Sequence, residues 1–257
     1  MFFLAASIGI YSYGLFFLGI LDFLYKPIVI IFTLLYFLSM IVVKRFGIML
    51  TLQKAKEWLQ FFLRGKLARF LFSLFILQVV LNLVGVFLPE LGFDALWYHL
   101  TLPKIYLDQH SINFIPGGLL YYSAMPKLGE MLFLFPLTLG NEIGPKFIQF
   151  IFGLLTCLAV YKVSQKFFTP LISFLTVMIF YSNIVVGWES TTAYIDLIRA
   201  FFEIMALWAF TQWWESNKYK WFILAAILVG FTITTKLLAI GSLFIFGILI
   251  LLYNKKE

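Results

Sequence analysis

The acids and bases able to do chemistry in this chain are few, and they fall in three stretches. The first is GFDALWYHLTLPKIYL, residues 92–107, where Asp94, Tyr98 and His99 follow an apolar run. A carboxylate at the edge of a hydrophobic span suits a general base, or a group that orients an acceptor hydroxyl. It suits a helix N-cap equally well, because it opens the helical pattern ALWYHLTL. Tyr98 and His99 would meet a substrate from the same loop, although Trp97 and Tyr98 also fit an interfacial aromatic belt. Glu130, in YYSAMPKLGEMLF, is a first-turn acid of a short apolar helix that would return it to the surface beside Asp94. Asp94 and Glu130 are the candidate catalytic acids.

The second stretch, TTAYIDLIRAFFEIMALWAF, carries Asp196, Arg199 and Glu203. Their spacing places all three on one helical face. An ionised group at the bilayer centre costs roughly 2.5–3.5 kcal/mol on insertion scales. The three must therefore face one another, as a self-neutralised packing group, or face a wet cavity. In the second case Asp196 and Arg199 bind substrate, with the guanidinium suited to an anionic phosphate. The third stretch, GFTITTKLLAIG, holds Lys236, which either snorkels to the interface or neutralises a lipid phosphate.

His99 and His110 are the only histidines, and no HExxH, CxxC or glycine-rich phosphate loop is present. A hydrogen bond from a neutral His99 within its loop is expected, no metal ligand is assigned, and a divalent metal stays an open alternative. No motif calls for another cofactor.

These groups must be positioned by a chain built for lipid. Hydrophobic residues make up 63% of it and charged residues 12%, whereas soluble domains are about 25% charged. The net charge of +7 gathers beside apolar spans, as in cytoplasmic loops facing anionic lipid, so a nucleic-acid partner is not expected. Cys157 is the single cysteine, which rules out an intrachain disulfide. The N-terminal MFFLAASIGI lacks a basic n-region and reads as a retained span.

The expected fold is all-α: a polytopic membrane protein of about eight spans, near 2–23, 27–43, 68–89, 145–163, 168–187, 194–214, 220–237 and 238–253. Leu128 to Leu139 is too short to cross and reads as interfacial or re-entrant. With both termini cytoplasmic, the basic groups around Lys44, Lys54, Arg64, Lys162 and Lys218 fall inside, as the positive-inside rule requires. Most acids then fall outside, where loop 90–127 forms the largest polar surface. Residues 1–66 comprise two N-terminal spans and an amphipathic segment, 51–66, along the cytoplasmic interface. Residues 67–257 form the main transmembrane module.

GFDALWYHLTLPKIYL, YYSAMPKLGEMLFLF, GPKFIQFIFGLLTCLAVYKV, AYIDLIRAFFEIMALWAF and GFTITTKLLAIG, in that order, resemble the N-terminal half of GT-C membrane glycosyltransferases. The protein O-mannosyltransferases and the aminoarabinose transferases of lipid A belong to that superfamily. The resemblance covers about residues 70–250. It implies sugar transfer from a polyprenyl-phosphate donor to a glycan, lipid or protein acceptor, with inversion, at the external face of the cytoplasmic membrane. It also implies that Asp94 is the catalytic acid, that Asp196 is a second acid near the site, and that Lys236 lies near the donor phosphate. Glu130 and Arg199 rest on their chemistry alone. The chain differs from many relatives in having Ala95 directly after Asp94, in its two additional N-terminal spans, and in stopping at YNKKE. A transporter or flippase for a lipid-linked or anionic substrate, and an inactive truncated fragment, are the competing readings.

Overall fold

The computed structural model describes residues 1–44 and 65–254. Among these the protein is all-helical, with no strand. An apolar hairpin comes first, α1 (Phe2–Ile20) and α2 (Lys26–Lys44), with Asp22 in the left-handed region at its turn. Pro27 sits in the first turn of α2, where its missing N–H removes no helical bond. α3 (Lys66–Val86) follows, and the interfacial segment expected over 51–66 falls, but for its last two residues, outside the described residues.

The long loop is itself structured. It holds a π turn (Ala95–His99), α4 (Thr101–Gln109) and a 3-10 turn (Tyr121–Ala124). Then come α5 (Leu128–Thr138), α6 (Ile143–Ser164), α7 (Pro170–Tyr181), α8 (Ile184–Glu189), α9 (Asp196–Ser216) and α10 (Tyr219–Thr235). A 3-10 turn (Leu237–Ile240) leads into α11 (Gly241–Asn254).

Phe2–Ile20, Lys26–Val43, Lys66–Val86 and Ile143–Ser164 are long and apolar enough to cross a bilayer, and the chain is an integral membrane protein. The single span expected over 168–187 is two helices, because the Asn183 side chain accepts the Val185 N–H at 2.9 Å and starts a new one. The span expected over 238–253 likewise begins with the 3-10 turn.

Apart from Glu130 and Thr138, α5 is apolar, and Leu128 to Leu134 are all buried. A helix of that kind belongs inside a bundle, and α5 packs among α1, α2, α4, α6 and α10. Its neighbours hold it by close packing and a few polar ties, since lipid tails are as apolar as its own side chains. One tie runs from Ser12 Oγ on α1 to the Leu128 carbonyl, at 2.5 Å. α2 and α3 show the opposite pattern, with Ile31, Leu34, Leu35, Leu77 and Leu81 exposed as lipid-facing surface.

Candidate active site

The loop is anchored before it reaches Asp94. Glu90 Oε1 accepts the N–H groups of Leu91 (2.9 Å) and Gly92 (2.7 Å), and Oε2 accepts that of Ala193 (2.7 Å). Gly92 is required there: a Cβ would stand 2.7 Å from Tyr194 Cε2 and 3.0 Å from Glu90 Oε1. The Asp94 N–H donates to the Tyr194 hydroxyl at 3.2 Å. Entry to the loop is thus fixed against the linker that precedes α9.

Asp94 occupies the position before the π turn, yet its side chain makes no capping bond. Its Oδ2 instead accepts a hydrogen bond from the Tyr98 hydroxyl at 3.1 Å. The turn directs Tyr98 and His99 inward, both buried. Tyr122 stacks on Tyr98 with ring centroids 3.9 Å apart and planes at 9°. Burial, then the neighbouring Asp94 carboxylate, pushes the Tyr98 phenol pKa upward, so it stays a hydrogen-bond donor.

His99 reaches out of the loop. Its Nδ1 lies 2.8 Å from Glu130 Oε1, and the two side chains are 1% and 6% exposed. The partner expected within the loop is therefore a carboxylate on α5, 31 residues onward. Gly129 lets α5 lie close to the linker before α9, since a Cβ there would come within 2.7 Å of Ile195 Cγ2. His99 Nε2 and Glu130 Oε2 are buried and have no hydrogen-bond partner.

At the C-terminal end of α10, Lys236 Nζ donates to both carboxylate oxygens of Asp196, at 2.8 and 2.7 Å. Arg199 Nε lies 3.9 Å from Asp196 Oδ1, and its Nη1 donates to Glu203 Oε2 at 2.8 Å. Glu203 Oε1 accepts from Ser242 on α11. The helical-face reading of Asp196, Arg199 and Glu203 holds, and the cluster extends beyond it to Lys236.

A cavity of about 160 Å³ joins the two groups. Tyr98, His99, Tyr122, Glu130 and Lys236 line it, beside Ile195, Thr235 and Leu238. Asp94 stands behind Tyr98, and Asp196 behind Lys236. Arg199 is a turn further along α9, paired with Glu203, and does not line the cavity. A larger cavity, about 790 Å³, lies at the far end of α4 around Lys26, Asp108 and His110, with the Lys104–Glu142 ion pair in its wall. None of the candidate residues reaches it. Among the described residues no three His, Cys, Asp or Glu side chains converge as a metal-ligand group.

Several site residues had no distinguishing sequence signal. Tyr122 and Tyr194 are two of 13 tyrosines. Glu90 and Glu189 are acids at the ends of apolar runs, which is a signal, although a weak one. Glu189, buried at the end of α8, has its carboxyl pushed up to about 8 by burial and then by Asp196, with Lys236 and Arg199 opposing. Gln149 on α6 is best satisfied with its nitrogen toward the Tyr194 carbonyl (3.2 Å) and its oxygen toward the Leu197 and Asp196 amides (3.1 and 3.2 Å). That oxygen then lies 3.5 Å from Glu189 Oε2, a contact that favours a protonated Glu189.

No curated protein sequence and no solved structure matches the chain. Residues 131–257 match the family model described as dolichyl-phosphate-mannose-protein mannosyltransferase. The match begins one residue after Glu130, includes Asp196, Arg199 and Lys236, and leaves Asp94, Tyr98 and His99 before it. Over residues 131–257 the chain thus carries the sequence pattern of the dolichyl-phosphate-mannose-protein mannosyltransferase family, a GT-C type.

Proposed function

We propose that the protein is a membrane glycosyltransferase that takes a sugar from a polyprenyl-phosphate donor. The acceptor, a glycan, lipid or protein, approaches from the external face of the cytoplasmic membrane, with both termini of the chain on the cytoplasmic side. The observation that carries this reading is the single cavity on which His99, Glu130, Tyr98 and Lys236 converge.

The chemistry asks little more of the protein. An acceptor hydroxyl oxygen attacks the anomeric carbon, the bond from that carbon to the phosphate oxygen breaks, and polyprenyl phosphate leaves with the electron pair. The hydroxyl proton passes to a carboxylate. Asp94 is the proposed base, acting through Tyr98: the phenol gives its proton to Asp94 Oδ2 as it takes the acceptor's, and Glu130 with His99 orients the sugar or acceptor by the two polar atoms left open. Lys236, held by Asp196, offers a cation to the phosphate as its negative charge develops. Arg199 supports this arrangement through Asp196 and Glu203 without touching the cavity.

The test is sugar release from polyprenyl-phosphate hexoses in proteoliposomes, comparing wild type with Asp94→Asn. Loss of about 10²–10⁴-fold in turnover is expected for a missing general base. An unchanged melting temperature would show the fold intact. Equal turnover in both proteins would remove Asp94 from the site.

A further inference from the structure

The cavity of about 790 Å³ at the far end of α4 lies apart from the reactive one, and its size is that of a small-molecule site. α4 separates the two. The π turn that ends at His99 precedes this helix, and Asp108 and His110 stand at its other end. Its nine residues span about 14 Å.

Backbone bonds hold the walls. The Leu24 N–H donates to the His110 carbonyl at 3.0 Å, and the Ile112 N–H donates to the Gly19 carbonyl at 2.9 Å. These bonds clamp the end of α4 against the turn between α1 and α2. His110 is left-handed there, with φ of 59°, a conformation that few residues other than glycine adopt. Its ring stacks on Tyr25 with centroids 4.0 Å apart. The opposite wall is the turn from α5 to α6, where Asn141 Oδ1 accepts the Gly144 N–H at 3.1 Å. Walls held in this way lower the ordering cost of taking up a ligand.

The polar groups are only partly used. Two lysines and two acids line the cavity, and Lys104 pairs with Glu142. The side chains of Lys26 and Asp108 have no hydrogen bond or ion pair among the described residues. His110 Nδ1 is buried without a partner. Asn141, with its oxygen used on Gly144, keeps two amide donors. Leu24, Leu107 and Leu137 supply an apolar part.

Equal numbers of both signs disfavour a ligand of high net charge. A cationic donor and an anionic acceptor, both unpaired, are answered best by a hydroxyl, which accepts from one and donates to the other through a single oxygen. A peptide group needs two separate atoms for the same task. A ligand that carries many hydroxyls and lays C–H faces on leucines is a sugar.

We propose that this cavity binds a glycan, and that the acceptor of the transfer is an oligosaccharide held here by its distal residues. The acceptor role rests on the transferase reading, whereas glycan binding itself does not. An acceptor held at one end of α4 and reacting at the other extends about 14 Å, which asks for several sugar residues.

The test uses the full chain in phosphatidylcholine nanodiscs and neutral tetrasaccharides of mannose, glucose and N-acetylglucosamine, with binding read by saturation-transfer NMR. At least one tetrasaccharide is expected to bind. Asp108→Ala and Lys26→Ala each shorten an exposed side chain, so the melting temperature should hold. Each should weaken binding by about tenfold or more, the effect of losing a hydrogen bond to a charged group. Lys66→Ala, exposed elsewhere on the chain, should leave binding unchanged.

Absence of binding to wild type, or equal binding in both cavity variants, would overturn the proposal. Full displacement of the sugar by a glycine–serine tetrapeptide would overturn it too, by making the cavity a peptide site. Displacement by inorganic phosphate would do the same, by making it an anion site. Sugar release by a wild type that binds no tetrasaccharide would sink this site and leave the transferase standing. Glycan binding lost in both variants, without sugar release from any donor, would keep the site and remove the transferase together with the acceptor role.

Discussion

The two polar groups that meet at the cavity differ in how completely they are satisfied. In the cluster on α9, α10 and α11, all four carboxylate oxygens of Asp196 and Glu203 accept hydrogen bonds, from Lys236, Arg199 and Ser242. Two cations balance two anions, and the one buried atom left without a hydrogen bond is a donor, Arg199 Nε, 3.9 Å from Asp196 Oδ1. In the loop cluster, only two of the four oxygens on Asp94 and Glu130 have a partner, from Tyr98 and His99. Glu130 Oε2 and His99 Nε2 are buried with none. An unsatisfied buried polar group costs roughly 1–3 kcal/mol, and most are paired. The contrast fits the proposed division of roles: the cluster whose carboxylates are all engaged would hold Lys236 in place, and the loop cluster would be completed by a substrate.

That division is broken or sharpened most strongly at Asp94. If Asp94→Asn leaves sugar release intact, the incomplete cluster is not the reacting one and the comparison fails. Glu130→Gln comes next. It keeps the size of the side chain and can still accept from a protonated His99 Nδ1, but it cannot hold a proton or a negative charge. A fall in turnover of about 10²-fold is expected, at the lower end of acid–base contributions, with little change in melting temperature. A large drop in melting temperature with turnover per folded molecule unchanged would mean that the His99–Glu130 pair is only a buried tie.

A third prediction concerns Glu189, which is buried and feels the charges of the α9–α10 cluster. Its carboxyl pKa is raised from the usual 4.5 to about 8. The folded state therefore keeps a proton that the unfolded state releases. Stability contributed by this group is fully present below about pH 4.5, declines as pH rises, and has been lost above about pH 8. The slope is at most about 1.4 kcal/mol per pH unit inside that window. Glu189→Gln should flatten the dependence of melting temperature on pH between 5 and 8, measured in detergent. An unchanged slope would show that Glu189 ionises freely in the folded protein.

How much of this was legible depends on distance along the chain. The apolar spans follow from hydropathy, and the Asp196–Arg199–Glu203 face follows from helical spacing, because both are local properties. The pairing of Lys236 with Asp196 crosses 40 residues and that of His99 with Glu130 crosses 31. Both depend on how α5, α9 and α10 pack, which periodicity does not encode. The sequence allows Asp94 to be a base, a helix cap or both, because an acid before a helical pattern can do either. A π turn and the nearby Tyr98 hydroxyl redirect it. The break at Ser182–Asn183 was passed over for another reason: a hydropathy window averages two polar residues into a long apolar run, although Asn183 is itself a helix-start residue.

The smallest expected effect gives the finest test of the comparison. Ser242→Ala removes the hydroxyl that donates to Glu203 Oε1 and leaves the Arg199–Glu203 bond in place. The Glu203 side chain lines a cavity of about 360 Å³ beside Thr156 and Ile204, so Oε1 would face that cavity without its donor. A loss of stability of about 1.5–3 kcal/mol is expected, the worth of one hydrogen bond to a charged group. Sugar release at saturating donor should stay within about twofold of wild type, because a scaffold with its remaining partners in place still presents Lys236 unchanged. A loss of turnover far exceeding the loss of stability would show instead that the α9–α11 cluster takes part in the reaction, since satisfied hydrogen bonds would then be catalytic and not supportive.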